Sequence, residues 1–367
     1  MKKAMYILAT LIPIAVLVSA LSIGFAHINS AKAANNVTCT PTGFTRDSLN
    51  LTAAVIATNT TISGQVNAAG CNIGIYYGPG FAGKVASAQV FGANYFGIVN
   101  NGSKVTITTS QIHDIGENPL NGDQHGVGIY YAFDNPSSGK ITNNLVWNYQ
   151  KGGIVDNSIS SATTTVSHNT VIGQGPVTYI AQNGIQIGFG AKATVSNNIV
   201  TGNSYSGTNN AASGGILVVG GSCYGGALTI GTKITNNTVV GNDVGIWLSN
   251  LDGNDCIPTT TPTNIIVNNN ISTNDGVNNV SGNGYPAGYQ AGVSDQGDYD
   301  QITNNSICGL GYTPVQTPPP YLYFIDVTVT NNPTVTGNTS CLDGSPIPSI
   351  YGKAPHIAHH AIAGAIR

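Results

Sequence analysis

A short pattern of alternating apolar and polar positions recurs along most of the chain. Its clearest copy lies at residues 183–203. There, an apolar strand opened by Gly184 is followed by a glycine turn, a second strand at 193–196, a bend at Asn197-Asn198 and a third strand. None of these strands is long enough to bury a face by itself, so the unit needs one copy stacked above it and another below it. The pattern therefore predicts one coil of a solenoid.

Further copies of both parts of this unit occur before and after it. The Asn bend, with its flanking apolar residues, recurs at residues 141–146, 166–171, 234–239, 266–271 and 302–307. The strand opened by glycine recurs at Gly74, Gly97, Gly128, Gly153, Gly215, Gly245 and Gly292. The spacing between successive bends varies, whereas the bend itself is kept. Loops of variable length between constant strands are typical of a solenoid.

With these bends and strands, the chain resembles the right-handed parallel β-helix of the pectin-lyase-like superfamily, in which Asn side chains form ladders at the bend. The resemblance covers roughly residues 59–341. It implies an all-β fold, a right-handed parallel β-helix solenoid. It implies no single reaction, because this fold carries lyases, hydrolases, epimerases, adhesins and noncatalytic proteins.

The predicted β-helix is one domain, residues 59–345, with a cap at 34–58 and a tail at 346–367. Residues 44–58 (FTRDSLNLTAAVIAT) contain an N-cap candidate, Thr45 or Asp47, followed by an Ala-rich apolar stretch. We therefore expect a short N-terminal capping helix there. A cap is needed because the open end of a β-helix is an exposed sheet edge. The tail is compatible with a second short helix or with a frayed terminus.

The N-terminus has the features of an export signal. Two lysines precede an apolar run at residues 4–26, and Ala31 and Ala33 supply the small residues that a signal peptidase reads. We expect a signal peptide at 1–33 and a secreted protein, extracellular or at the cell surface, without a membrane segment after cleavage. The alternative is an uncleaved anchor, since the run is long enough to span a bilayer.

The six cysteines of an exported chain are expected to be paired. Cys308 and Cys341 occupy the same position of consecutive coils when their repeats are aligned. Stacked strands lie about 4.8 Å apart, which is within the Cα range of a disulfide. Two further cysteines follow successive strands opened by glycine, and the last two then remain for each other. The predicted bridges are Cys39–Cys71, Cys223–Cys256 and Cys308–Cys341.

The composition restricts the partners. Charged residues make up only 7% of the chain. Cleavage of the leader removes Lys2, Lys3 and Lys32 from the 12 basic residues and none of the 15 acidic ones, which leaves a net charge of −6. Binding to nucleic acid requires a basic patch, so nucleic acid is excluded as a partner. We expect an extracellular polysaccharide instead, and the sequence assigns no oligomeric state.

Ionisable residues are concentrated around one loop of the predicted β-helix. Five of the candidate catalytic residues belong to one coil, and Lys151 is aligned with Glu117 from the next coil. The six candidates are His113, Asp114, Glu117, Asp123, His125 and Lys151. A carboxylate beside a histidine can perform general acid–base catalysis near neutral pH, and two carboxylates can cleave a glycosidic bond. The alternative is that His113-Asp114 caps a turn and that the loop acids are solvated.

A lyase would use this loop differently. Lys151 or His125 would take the proton beside a uronate carboxyl group, and a carboxylate-bound Ca²⁺ would acidify that proton. Ca²⁺ is therefore the cofactor considered, with no ligand set assigned. Residues 295–300 (DQGDYD) also offer oxygen ligands, although a Gly/Asp turn is the favoured interpretation. Neither the lyase motif nor the hydrolase motif of the superfamily matches this sequence, so the resemblance supplies no catalytic residue.

Strand alternation gives a second set of candidates. If Ile75, Ile129, Ile185 and Ile246 point inward, then their neighbours point outward. The predicted substrate-binding residues are therefore Tyr76, Tyr130, Gln186 and Trp247. Aromatic rings can stack on sugar faces. The alternative is that long loops cover these side chains. Asp156 and Asp295 fall at positions that otherwise point inward, so each either ends its strand or has a function.

Two functions follow. The first is a secreted protein that binds extracellular polysaccharide, either without turnover or with polysaccharide lyase or glycoside hydrolase activity at the loop from His113 to His125; the sequence does not decide between these two. The second is a noncatalytic structural protein of a surface or matrix, in which the low-charge solenoid is itself the function. Ice binding is disfavoured, because Thr106, Thr108 and the threonines at 163–165 do not recur in register.

Overall fold

The computed structural model describes residues 37–279, 288–315, 320–327 and 332–348. All of them belong to one compact unit. They form short strands and two 3₁₀ turns, Ser222–Tyr224 and Leu310–Tyr312. The strands are β1 Thr40–Arg46, β2 Leu49–Ala57, β3 Thr61–Asn67, β4 Ile73–Tyr77, β5 Ala82–Phe91, β6 Phe96–Asn100, β7 Lys104–Thr108, β8 Gln111–Ile115, β9 Val127–Tyr131, β10 Ser138–Thr142, β11 Leu145–Tyr149, β12 Gly152–Asp156, β13 Thr164–Ser167, β14 Thr170–Ile172, β15 Asn183–Gly188, β16 Ala193–Ser196, β17 Ile199–Thr201, β18 Gly214–Gly220, β19 Lys233–Thr235, β20 Thr238–Val240, β21 Val244–Asp252, β22 Ile257–Pro258, β23 Ile266–Asn268, β24 Ile271–Thr273, β25 Tyr289–Asp295, β26 Gln301–Thr303, β27 Ser306–Cys308, β28 Tyr321–Val327, β29 Thr334–Thr336 and β30 Thr339–Ser340.

The strands stack in three rows of parallel ladders. The first row consists of β2, β4, β6, β9, β12, β15, β18, β21, β25 and β28. The second row runs through β7, β10, β13, β16, β19, β23, β26 and β29, and the third through β8, β11, β14, β17, β20, β24, β27 and β30. Strand β5 pairs with both β7 and β8 and so begins both rows. The fold is a right-handed parallel β-helix, as the sequence predicts.

The core consists of columns of apolar side chains inside the coils. In the first row, strand pairing aligns fully buried isoleucines in consecutive coils: Ile75, Ile98, Ile129, Ile154, Ile185, Ile216 and Ile246. Valines and isoleucines of the other two rows point into the same core. Each coil therefore buries its apolar face against its neighbours, which the short strands could not do alone.

A ladder of asparagines joins the second row to the third. Its buried members are Asn144, Asn169, Asn198, Asn237, Asn270, Asn305 and Asn338. Each Nδ2 donates to Oδ1 of the next member at 2.9–3.0 Å. The residue before each of the first six members has a positive φ, from 55° to 57°. Asparagine tolerates this left-handed conformation better than most residues, which explains why Asn-Asn marks the bend.

The predicted capping helix at residues 44–58 is wrong. This segment forms β1 and β2, an antiparallel hairpin whose turn contains Asp47 and Ser48 at positive φ. Strand β2 also pairs in parallel with β4, so it continues the first row. Its buried residues, Leu51, Ala53 and Ala57, follow the two-residue period of a strand. Hydrogen bonds to the sheet edge therefore outweigh the weak helix propensity of an Ala-rich stretch.

The three predicted disulfides are confirmed. The Cα–Cα distances are 5.4 Å for Cys39–Cys71, 5.0 Å for Cys223–Cys256 and 5.4 Å for Cys308–Cys341, and no cysteine is free. All six lie within the described ranges. The predicted signal peptide and the tail beyond residue 348 lie outside those ranges. Among the residues described, no helix has the length and apolar character needed to cross a membrane.

Candidate functional site

Three acidic residues lie around His125, which precedes β9. Its Nε2 atom lies 2.8 Å from Glu117 Oε1, and its Nδ1 atom lies 4.0 Å from Asp47 Oδ2. Glu117, Asp123 and His125 each place one ligand atom within 4.8 Å of the others. We call Asp47, Glu117, Asp123 and His125 the acid–histidine cluster. The strand order thus brings together both ends of the loop from β8 to β9 and the turn of the N-terminal hairpin.

Buried and exposed groups meet at this cluster. The His125 side chain is only 10% exposed, and its ring stacks on Tyr95 with a centroid distance of 3.8 Å. By contrast, the side chain of Glu117 is 30% exposed and that of Asp47 is 69% exposed, and Asp123 is also exposed. The imidazole is therefore held rigidly, while the carboxylates face solvent. A ligand can reach the cluster from its acidic side.

Gln150 fixes the loop that carries Glu117 and Asp123, and it was missed in the sequence. Its Oε1 atom accepts hydrogen bonds from the backbone N–H groups of Glu117 and Asn121, each at 3.1 Å. Its Nε2 atom donates to the Asp123 carbonyl at 2.8 Å. Gln150 is fully buried. A polar residue two positions before the glycine-opened strand β12 was the only available signal.

Negative charge accumulates around Tyr95. Burial raises the pKa of the Tyr95 hydroxyl, and the carboxylates of Asp47, Glu117 and Asp123 raise it further. Asn94 Nδ2 donates to Glu117 Oε1 at 3.1 Å, so this oxygen accepts two hydrogen bonds if His125 carries its proton on Nε2. The nearest arginine, Arg46, is bound to Asp134 at 2.5 Å. The cluster is therefore suited to a cation, a proton donor or a neutral ligand.

The donor atoms of the cluster are not those that Ca²⁺ prefers. Ca²⁺ takes six to eight oxygen ligands, whereas Glu117, Asp123 and His125 offer carboxylate oxygens and one imidazole nitrogen. Imidazole with carboxylates is more typical of Zn²⁺ or another transition metal. The cluster therefore fits a transition metal better than the Ca²⁺ considered from the sequence.

His113 and Asp114 form a separate group. Asp114 Oδ2 lies 2.7 Å from His113 Nδ1, and Gln89 Nε2 lies 3.0 Å from His113 Nε2. The ring of His113 is stacked between Phe91 and Trp147, at centroid distances of 5.3 and 4.2 Å. Both ring nitrogens and both ring faces are thus occupied. The hydrogen bond from His113 is the largest cause of the lowered pKa of Asp114. This geometry agrees with the alternative interpretation of a capped turn.

Lys151 lies inside the protein and does not face the loop. The residue is 1% exposed, and Nζ donates to the carbonyl oxygen of Ala181 at 2.5 Å. Burial lowers the pKa of the amine to about 7. Only its backbone contacts the candidate loop, through a hydrogen bond from Lys151 N to Gly126 O. An external polymer cannot reach this amine in the observed conformation.

The predicted substrate-binding residues on the first row of strands are buried. Tyr76 is 6% exposed, Tyr130 and Gln186 are 0% exposed and Trp247 is 1% exposed. Tyr76 and Tyr130 pack with Phe44 of the N-terminal hairpin in one apolar cluster. Trp247 packs with Tyr289 in another and donates to Gln296 Oε1 at 3.2 Å. These side chains cannot stack on a sugar in this conformation, which agrees with the alternative that they are covered.

Asp156 and Asp295 are each the last residue of their strand and are buried. Asp156 Oδ1 accepts a hydrogen bond from Ser158 N at 3.0 Å, and Asp295 Oδ1 accepts one from Gly297 N at 2.8 Å. Both residues therefore end a strand and begin a turn, which is the first of the two interpretations that the sequence left open. In the second turn, Asp300 Oδ1 accepts from Thr263 Oγ1 and from Ile265 N. The segment 295–300 is thus a hydrogen-bonded turn.

The chain is thereby defined as a parallel β-helix protein, and its described residues include the acid–histidine cluster at the surface. No protein-family model and no curated protein matches it. Among solved structures, it is similar to the Dettilon tailspike protein, with 15% sequence identity and a TM-score of 0.39. The alignment covers 80% of this chain and 59% of that one, so the chain spans less than two thirds of the tailspike chain.

Proposed function

We propose that the protein is secreted, binds an extracellular polysaccharide at the acid–histidine cluster and hydrolyses it there. The observation that carries this proposal is the hydrogen bond of 2.8 Å between His125 and Glu117, with the exposed Asp123 carboxylate beside it. A polymer can lie against this surface because Glu117, Asp123 and Asp47 face solvent. The buried Gln150 supports the loop, as a catalytic loop requires.

Hydrolysis is supported better than elimination. A lyase needs a base near the uronate. Lys151 is buried and Arg46 is bound to Asp134, which leaves His125, whose Nε2 atom is already hydrogen-bonded to Glu117. Hydrolysis needs only two carboxyl groups. Retaining glycosidases hold them about 5–5.5 Å apart, and an oxygen of Glu117 and one of Asp123 lie within 4.8 Å of each other and of His125. We assign proton transfer to Glu117 with His125, and attack or charge stabilisation to Asp123.

The test is an incubation of the protein with a panel of neutral and uronate polysaccharides, with and without added Ca²⁺ or Zn²⁺. New reducing ends without ultraviolet absorbance from unsaturated uronates would support hydrolysis. New ends with that absorbance would point to a lyase. The absence of new ends across the panel would refute catalysis.

A noncatalytic structural role is the second candidate. It is favoured by the burial of Lys151 and of the four predicted substrate-binding residues, Tyr76, Tyr130, Gln186 and Trp247. This burial removes five of the ten site candidates from contact with a polymer. In that case, the stack of coils with its three disulfides would itself be the functional product. The panel separates the two candidates, because a structural protein leaves every polysaccharide intact.

A further inference from the structure

The outer face of the third row carries a regular pattern of threonine and branched apolar side chains. Four consecutive strands, β14, β17, β20 and β24, each expose one residue of each kind. The eight residues, here called the checkerboard face, are Thr170 and Ile172, Ile199 and Thr201, Thr238 and Val240, and Ile271 and Thr273. Strand pairing places Thr170 beside Ile199 and Ile172 beside Thr201, and the alternation continues through the next two strands.

Both kinds of side chain are accessible. The apolar members are 38% exposed at Ile172 and Val240, 44% at Ile271 and 48% at Ile199. These are large values for apolar side chains on a sheet that buries its other face completely. The hydroxyl groups of the four threonines form no hydrogen bond with any other residue in the described ranges. They are available to bind something outside the protein.

The face is regular and uncharged. Its strands pair in parallel without a register shift, and the inward residues between the two columns are fully buried. Glycines follow the first three strands, at Gly173, Gly202 and Gly241, and the buried Asn274 follows the fourth. None of the eight side chains is ionisable. Neighbouring residues of one column lie about 4.8 Å apart along the stack, and the two columns lie roughly 7 Å apart.

These properties do not suit a protein partner or a sugar chain. The four coils extend over roughly 14 Å by 7 Å between Cα positions, far less than the ~800 Å² per partner of a stable protein interface. None of the four strands contains an aromatic residue that could stack on a sugar. Trp147, which pairs with Ile172 from the neighbouring strand β11, already stacks on His113.

We infer that the checkerboard face binds ice. The surface of ice is neutral and periodic, and its repeat is close to the spacing of stacked β-strands. The threonine hydroxyl groups recur in every second coil of each column, at about 9.6 Å or twice that spacing. They can donate to and accept from lattice water, and the methyl groups between them restrict the orientation of their hydration water. A charged or irregular face would bind water in other orientations. This face has neither property over four coils.

No column of this face consists of threonine alone, because threonine alternates with isoleucine or valine. A threonine that recurs in register therefore does not mark this face in the sequence. On the second row, the prediction that the threonines do not recur in register was wrong in part. Thr106 aligns with Lys140, Thr165 and Thr194 in successive coils. That column contains lysines, so the checkerboard face is the better candidate.

The test is the thermal hysteresis of the whole protein, measured as the gap between melting and freezing temperatures of a single ice crystal. We expect a measurable gap and faceted crystals for the natural protein. Thr201→Lys, which places a charge at the centre of the face, should lower the gap at least several-fold. The matched control is Thr194→Lys, on the preceding strand of the same coil, where Lys233 is already the neighbour. This control should keep the gap unchanged.

Several outcomes would overturn the inference. The first is the absence of thermal hysteresis in the natural protein, and the second is an equal loss of the gap in Thr194→Lys. The third is a dimer in sedimentation that Thr201→Lys dissociates, because a second copy of the chain would then occupy the face. If Thr201→Lys does not fold, Thr201→Ser replaces it. This variant keeps the hydroxyl group and loses the methyl group, and it must lower the gap if the combined pattern is required.

Discussion

His125 and Glu117 are joined by a hydrogen bond of 2.8 Å between Nε2 and Oε1 across a loop that Gln150 holds from inside. The imidazole has little freedom, because Tyr95 covers one ring face and Asp47 lies 4.0 Å from the other ring nitrogen. A rigid histidine with an exposed carboxylate partner is a suitable group for moving a proton at the surface of a rigid solenoid.

The first prediction concerns this pair. Glu117→Gln keeps the shape of the side chain but removes its charge and its ability to transfer a proton. If the proposed hydrolysis is correct, the rate of reducing-end release should fall by about 10²- to 10⁴-fold. Asp123→Asn should have a comparable effect. The rate is measured on whichever polysaccharide of the panel gives the highest activity.

Asp275→Asn is the control, because Asp275 is an exposed acid in a distant coil. It should retain full activity. Normal activity of both Glu117→Gln and Asp123→Asn would exclude the cluster as the catalytic site. Thermal unfolding of each variant checks that a loss of activity is not a loss of fold.

The second prediction concerns the Asn ladder. Asn198 Nδ2 donates to Val166 O and Asn237 Oδ1, and its Oδ1 atom accepts from Asn169. Asn198→Ala leaves several of these buried groups without a partner. We expect the free energy of unfolding to fall by about 2–4 kcal/mol, measured by denaturant unfolding.

The neighbouring Asn197→Gly serves as the control. Asn197 is exposed and has a φ of 55°, a conformation that glycine adopts readily. The free energy of unfolding of Asn197→Gly should stay within about 0.5 kcal/mol of that of the natural protein. Equal losses in the two variants would show that the bend tolerates no change, and that the ladder hydrogen bonds have no special role.

The third prediction uses the buried amine of Lys151. Its pKa is lowered by burial from 10.5 to about 7. At a pH between these two pKa values, Lys151 is protonated in the unfolded chain and neutral in the folded chain. The free energy of unfolding should therefore rise as pH increases from about 7 to 10.5. Lys151→Met should weaken this rise and increase stability at pH 7. Denaturant unfolding at several pH values measures both effects.

Lys140→Met is the matched variant, because Lys140 is exposed on the second row. Its pH dependence should equal that of the natural protein. A rise with pH that persists unchanged in Lys151→Met would show that another group causes it.

The fourth prediction concerns Asp156. Because this residue is a buried acid, its effect on the pH dependence of stability has the opposite sign to that of Lys151. Burial raises the pKa of its carboxyl group from 3.8 to about 6. The folded chain holds this proton where the unfolded chain has released it, so stability should fall as pH increases from 3.8 to 6. Asp156→Asn should remove this fall and stabilise the protein at pH 7 by up to about 3 kcal/mol.

The Asn side chain can still accept the hydrogen bond from Ser158 N, which is why this substitution is suitable. The exposed Asp255→Asn should change stability by less than about 0.5 kcal/mol. A loss of stability in Asp156→Asn at pH 7 would mean that the ionised carboxylate is needed in the fold.

The sequence by itself determined the repeating part of this protein. The Asn bend, the strands opened by glycine and the cysteine register depend on contacts between equivalent positions of adjacent coils. The repeat therefore predicts the fold, the core columns and two of the three disulfides, and Cys39–Cys71 follows by elimination. The first two strands were an exception. An Ala-rich stretch suits either structure, and only pairing with β4 at the sheet edge made it a strand.

Only the tertiary structure decided which candidate residues can meet a ligand. Alternation along a strand states that Tyr130 and Trp247 point away from the coil, but what then packs on them depends on distant segments such as the hairpin carrying Phe44 and Arg46. In the same way, Glu117, Asp123 and His125 converge because a fully buried Gln150 folds their loop. The alternation of the checkerboard face likewise appears only when strands from separate coils lie side by side. Contacts between residues that are not equivalent in the repeat have no signature in its period.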